Sequence, residues 1–141
     1  MLDLDPPALL AMPRPISTNA LTRNLPGRGR VVTKEYTAWK REAARMLAAQ
    51  RPLPRFAQPV QITIYAGEGG VGMMDSDNCA KAMLDALKAA GVIHDDNRKW
   101  VRRSAVVWTP GLRGTVIKIR PAGMDVDGAS LAVKFPAGLL P

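Results

Sequence analysis

At 141 residues the chain has room for one domain with a real core, but only 5% of it is aromatic, so a partner or dimer interface would help to stabilise it. Lys and Arg outnumber Asp and Glu by 20 to 12, for a formal charge of +8, an excess that suits a polyanionic partner. A single cysteine excludes a disulfide framework and points to a reducing cytoplasm; no apolar run reaches membrane-spanning length, and the start Met1-Leu-Asp-Leu-Asp-Pro-Pro7 lacks the basic residues and apolar run of a secretory leader.

Ala8 to Met12 is a short apolar run ending at Pro13-Arg-Pro15, which predicts a first strand and a turn. Ser17 to Val32 is polar and glycine-spotted, with Arg23, Asn24, Arg28 and Arg30, and reads as a mobile loop. From Thr33 to Gln50, Tyr36, Trp39, Ala43, Met46 and Leu47 recur at helical spacing, with Thr33 as N-cap and Pro52 and Pro54 as the stop. Val60, Ile62 and Ile64 alternate with Gln61, Thr63 and Tyr65 as in a half-buried strand, and Gly67 to Gly72 is a loop. A second helix is expected from about Asp77 to Ala90, with Ala80, Met83, Leu84 and Leu87 inward and Gly91 in the left-handed position that ends it. Ser104 to Thr109 and Thr115 to Arg120 read as two strands joined into a hairpin by Pro110-Gly-Leu-Arg-Gly114. Pro121 to Pro141 is a tail in which Leu131, Val133 and Phe135 alternate. The order β-α-β-α-β-β predicts an α+β domain over residues 1–120, two main helices on a small mixed sheet, with the tail 121–141 apart from it.

The chemistry concentrates in Asp75-Ser-Asp77-Asn78-Cys-Ala-Lys81 and Gly91-Val-Ile-His-Asp95-Asp96. Carboxylates at the two ends of one helix converge if the chain after Gly91 folds back. Two carboxylates about 4 Å apart repel by roughly 4 kcal/mol at an effective dielectric of about 20, so a trio is a poor device for stability. A divalent cation reverses that sign, and magnesium, which prefers hard oxygen ligands, suits phosphodiester cleavage. Asp75 and Asp77 point the same way if their segment is extended, and Asp77 or Asn78 can cap the helix. One acid ahead of a helix is explained by the helix dipole. Lys81 stands four residues from both Asp77 and Asp85, which also fits a plain ion-pair ladder. Asp85 reads as a structural salt-bridge or dimer residue, His94 as a turn residue and Cys79 as a small buried hydrophobe. Nine basic residues lie between Arg23 and Arg55 against Glu35 and Glu42, and Arg98, Lys99, Arg102 and Arg103 follow the second acidic pair directly. These two blocks would bracket a polyanion approaching the acids. Trp39, Trp100 and Trp108 read as core or interface, with Trp100, amid basic residues, a candidate to stack on an exposed base.

Asp75-Ser-Asp77-Asn78-x-x-Lys81-Ala-x-x-Asp85-Ala-Leu-x-x-Ala90-Gly91-x-x-x-Asp95-Asp96 resembles the signature of the RusA family of Holliday junction resolvases, common in phages and prophages. Pro13-Arg-Pro15-Ile-Ser17-Thr-Asn19 looks like the proline-rich Ser-x-Asn turn after that family's first strand, so the resemblance runs from about Ala8 to Arg120. It implies a RusA-like fold and a homodimeric, magnesium-dependent endonuclease, with manganese able to substitute, that binds branched DNA, four-way junctions above all, and makes paired nicks in recombination and repair. Carried over residue by residue, Asp75, Asp77 and Asp96 become the metal-binding acids and Lys81 the catalytic lysine. Outside that carry-over, Asn78 reads as a cap or as a partner holding a carboxylate in place, and Asp95 as a supporting neighbour of Asp96 whose side chain diverges from it; Arg23, Arg28, Arg30, Arg98, Lys99, Arg102 and Arg103 are the candidates for DNA contact.

Two departures stand out. Ser76 replaces the usual leucine between the first acids, and the loop Ala66-Gly-Glu68-Gly-Gly-Val-Gly72-Met-Met74 lacks the basic residues common just before the first acid. The rival readings are a junction-binding protein that does not cleave and a nuclease preferring other branched DNA.

Overall fold

The computed structural model describes residues 7–123 and 136–138. Strand β1 (Ala8–Met12) leads through a 3-10 turn (Thr18–Ala20) into a two-stranded arm, β2 (Thr22–Leu25) and β3 (Gly29–Val32), and then into helix α1 (Lys34–Ala49). Strand β4 (Val60–Gly67), a second 3-10 turn (Ser76–Asn78), helix α2 (Ala80–Ala89), β5 (Val101–Thr109) and β6 (Thr115–Pro121) follow. The main sheet has the order β1-β6-β4-β5, with β5 parallel to β4 and the other pairs antiparallel. The architecture is therefore α+β, two helices and a mixed sheet, as the periodicities predict.

The core forms where those periodicities meet. Val60, Ile62, Ile64 and Ala66 of β4 and Ile117 and Ile119 of β6 are buried, against Tyr36, Trp39, Ala43 and Leu47 of α1 and Ala82, Met83 and Leu87 of α2. Each fully buried branched side chain contributes roughly 1.5–3 kcal/mol by leaving water. Helix α1 starts as expected, the Thr33 hydroxyl accepting from the Tyr36 amide at 3.1 Å.

Three details differ from the sequence reading. The segment Ser17 to Val32, read as a loop, contains the β2–β3 arm: Thr22 pairs with Val32 and Leu25 with Gly29 around a turn in which Gly27 and Gly29 have positive φ. The last two strands do not form a hairpin. β5 and β6 lie on opposite sides of β4, so residues 110–114 cross over the end of β4 as the chain reverses, and the two strands do not pair with each other. Gly67 makes that crossing possible: its amide donates to the Gly114 carbonyl at 2.9 Å, and a Cβ there would collide with the Leu112 and Gly114 carbonyl oxygens. Finally, α2 begins at Ala80 with Cys79 in the cap position and no side-chain cap bond, because the turn at Ser76–Asn78 feeds straight into it; neither Asp77 nor Asn78 caps the helix. The alternating tail positions Leu131, Val133 and Phe135 lie outside the described residues.

Candidate active site

Both acidic segments are held at their backbones. In the first, the Asn78 amide donates to the Asp75 carbonyl at 3.1 Å, and the Thr18 hydroxyl donates to the Asn78 carbonyl at 3.1 Å. The turn after β1 is thus tied to the turn before α2. Asp75, Ser76 and Asp77 stand exposed on it, and none of them forms an ion pair among the described residues. The indole of Trp108, at the end of β5, donates to the Ser76 hydroxyl at 2.8 Å.

The second segment is set by how α2 ends. Gly91 has φ 76°, its amide donates to the Lys88 carbonyl, and the Val92 amide reaches back to the Leu87 carbonyl, each at 3.0 Å. That is the glycine-terminated closure in which one residue turns left-handed and the next packs on the helix, here buried Val92 with buried Leu87. The chain folds back and presents Asp95 and Asp96 alongside α2. Asp95 shapes the turn: one oxygen accepts from the Asp96 amide and the other from the Asn97 side chain, both at 2.8 Å.

Folding back builds a row of alternating charges. Lys81 Nζ lies 3.1 Å from both oxygens of Asp85 and 4.0 Å from Asp96 Oδ2. Lys88 Nζ lies 2.9 Å from Asp95 Oδ1 and 3.9 Å from Asp96 Oδ1. Asp96 therefore has an ammonium on each oxygen. The Lys88 ammonium first, and then the Asp96 amide, pull the Asp95 carboxyl down to about 2, and Asp95 in turn raises Lys88. The Tyr36 hydroxyl donates to Asp85 Oδ2 at 3.4 Å; burial first, and then the Asp85 charge, push its pKa up. Of the two readings of Lys81, the ladder with Asp85 is present, and so is a reach toward Asp96 that a simple ladder does not need.

The fit of this site to a divalent cation is one of chemistry. Its donors are hard carboxylate oxygens, the class magnesium prefers. Among the described residues no three His, Cys, Asp or Glu side chains are grouped tightly enough to hold a metal ion. Lysines, the chain's own cations, stand beside Asp96.

The basic candidates sit on two separate segments. Arg23, Arg28 and Arg30 are exposed on the β2–β3 arm, and Arg98, Lys99, Arg102 and Arg103 are exposed after the second acidic pair, with Arg102 donating to the Arg98 carbonyl at 3.0 Å. One basic residue outside these blocks also faces the site. The Arg14 guanidinium lies against Gly70, where a Cβ would strike it, so a charge from the exit of β1 reaches the loop that lacks basic residues of its own. Only the tertiary fold brings 14 to 70; the arginine of Pro13-Arg-Pro15 was its sole sequence signal. Trp100 has its ring 4.3 Å from that of His94 and 5.3 Å from the Lys99 ammonium, which explains both as partners in a turn. Cys79 is fully buried, and burial pushes its thiol up to about 11, the behaviour of a small hydrophobe.

The family model for endodeoxyribonuclease RusA matches residues 11–120. The chain belongs to the RusA endodeoxyribonuclease family. No curated protein matches it. RusA membership implies an endonuclease acting on Holliday junctions, hence a nuclease that engages branched DNA, and RusA-type enzymes depend in general on divalent metal. The match takes in both acidic segments, the β2–β3 arm and all of the main sheet except the start of β1 and the last residue of β6. No helix among the described residues is long and apolar enough to cross a membrane.

Proposed function

We propose that this chain is a magnesium-dependent, homodimeric resolvase of the cytoplasm that cuts four-way DNA junctions by paired nicks in opposing strands, in recombination and repair. One observation carries the reading: Lys81 Nζ stands within 4.0 Å of Asp96, so the fold-back at Gly91 draws the second acidic segment to the helix that the first one opens. Asp75, Asp77 and Asp96 would hold the ion, or manganese in its stead, which when bound supplies a water of lowered pKa and neutralises charge on the scissile phosphate. Lys81 offers three donors on a flexible stem beside Asp96 and stabilises the charge that grows on the phosphate or its leaving oxygen. Lys88, Asp95 and Asn97 fix the turn that presents Asp96, while Asn78 belongs to the turn joining Asp75 to α2. The arginines of the β2–β3 arm and the Arg98, Lys99, Arg102 and Arg103 cluster neutralise backbone phosphates on either side, and paired nicking calls for two such sites related by a two-fold axis.

A junction-binding protein that does not cleave is the second reading, and the lysines already paired with Asp96 favour it. Incubating the protein with an end-labelled synthetic four-way junction, with and without magnesium, separates the two. The resolvase yields metal-dependent nicks at symmetry-related positions, and a shifted but uncut junction under every divalent metal would refute it. Linear duplex and three-way DNA at the same salt test the preference for four-way junctions.

A further inference from the structure

A cavity of about 380 Å³ opens beside Asp75, lined by Glu68, Val71, Gly72, Met73, Met74 and Trp108. Its size lies within the ~300–1,000 Å³ of small-molecule sites, and its lining combines Trp108, Val71 and two methionines with the carboxylates of Glu68 and Asp75. Trp108 is half-buried, packs against the core, and has its one polar atom satisfied by Ser76. The ring is thereby fixed and leaves no unpaired donor in the cavity. Ser76 sits between Asp75 and Asp77, so a single hydrogen bond couples the ring to the acidic turn. A leucine there, as the resemblance leads one to expect, has no oxygen to accept that bond. Met73 is completely exposed on the opposing loop, a flexible thioether with nothing packed on it, and Arg14 reaches the same loop at Gly70.

We infer that this cavity takes one unstacked nucleobase of the DNA substrate, the base of a nucleotide flanking the scissile phosphate, stacked on Trp108 and covered by Met73. The inference rests on the nuclease reading above and names how that site grips its substrate. Three observations single out this place. The Trp108 wall offers an aromatic surface that every base can use, whereas the other half-buried tryptophan, Trp100, is already engaged by His94 and Lys99. Asp75 lies in the lining itself, so an occupant is adjacent to the acid proposed to bind metal. Arg14 brings a cation to Gly70 of the same loop, a charge available to the phosphate of a nucleotide whose base enters the cavity. Extruding a base costs least where pairing is already interrupted, as at a branch point.

The test uses junctions that differ only in one base. After the wild-type nicks are mapped, an abasic nucleotide is placed in turn on each side of the cut, and single-turnover rates are compared. The wild-type chain is expected to lose about tenfold in rate at one of the two positions, the scale of a single base–aromatic stack. Trp108→Leu is expected to nick the intact junction about tenfold more slowly and to show no further loss on the abasic one. Met73→Ala changes a side chain that supports nothing in the fold, so its folding is not in question, and it is expected to halve the abasic penalty or more. A wild-type rate indifferent to base removal at both positions would overturn the inference. So would an abasic penalty that stays whole in both variants. A wild-type chain that nicks no junction at all would instead sink the nuclease reading, and the pocket with it.

Discussion

The two acidic segments of this molecule are built in opposite ways. The turn carrying Asp95 and Asp96 is closed and compensated: the Asp95 carboxylate accepts from a backbone and a side-chain amide, and Lys81 and Lys88 flank the pair. The turn carrying Asp75 and Asp77 is exposed, without ion pairs among the described residues, and backed by an indole and an open cavity. Electrostatics gives the contrast its meaning. The Lys88 ammonium holds the Asp95 carboxyl down at about 2, so that turn is set by the chain's own cations, whereas the acids of the first turn have no such partner among the described residues and are, on the proposed reading, the ones left for a metal ion. Lys81 stands at the border, on the first turns of α2 yet reaching toward Asp96, so on the proposed reading it is the group that would shift partners on substrate binding.

Removing charge from either segment gives the largest expected effects. Asp75→Asn, Asp77→Asn and Asp96→Asn should each lower nicking by about 10²-fold or more, because a lost ligand weakens a contribution of several kcal/mol to the transition state. Junction affinity measured by gel shift should hold or rise, since a negative charge near DNA is gone. If any of the three nicks at the wild-type rate in magnesium, that residue is not a ligand. Lys81→Met comes next, with a loss of roughly 10²-fold in turnover at little change in binding, read by single-turnover kinetics against gel shift.

Arg28→Ala and Arg98→Ala sharpen the comparison from the outside. Each should weaken binding of all DNA substrates alike and reduce the slope of log K against log salt by about 0.9, one phosphate contact apiece. Asp85→Asn probes the border residue. The Lys81–Asp85 pair is half-exposed, so its loss should cost only about 0.3–0.5 kcal/mol in denaturant unfolding, while the freed Lys81 should alter nicking by several-fold.

The pH behaviour of Cys79 bears on stability alone and should leave nicking least changed. Its thiol, raised to about 11 by burial, favours the protonated form in the fold. It therefore contributes stability that is whole below about 8.5, the unfolded value, and is lost as pH rises toward 11. Native protein at pH 8 should react negligibly with a thiol reagent, and fully once unfolded. Fast reaction of the folded chain would contradict the packing at the start of α2.

Much of this was legible in the sequence where burial and spacing coincide. Val60, Ile62 and Ile64 alternate because one face of β4 is buried, Thr33 marks the start of α1, and Gly91 marks a closure that needs a left-handed residue. The β2–β3 arm escaped because it buries almost nothing, so its strands carry no alternation; only the glycines of its turn marked it. The separation of β5 from β6 escaped for another reason. A five-residue link between strands favours a hairpin locally, and nothing local reports that β4 claims the place between them. The acids and Lys81 were visible through spacing and family resemblance. Arg14 at Gly70 and Trp108 at Ser76 were not, since both are contacts between segments far apart in the chain.

The central claim is that the two acidic segments share one dication. Crystals of the protein soaked in manganese and measured at the manganese absorption edge test it most directly. The account predicts one anomalous peak or a close pair, within about 2.0–2.3 Å of carboxylate oxygens from Asp75, Asp77 and Asp96, with Lys81 released from Asp96. A peak bound by Asp75 and Asp77 alone, with Asp96 still held between Lys81 and Lys88, would contradict it.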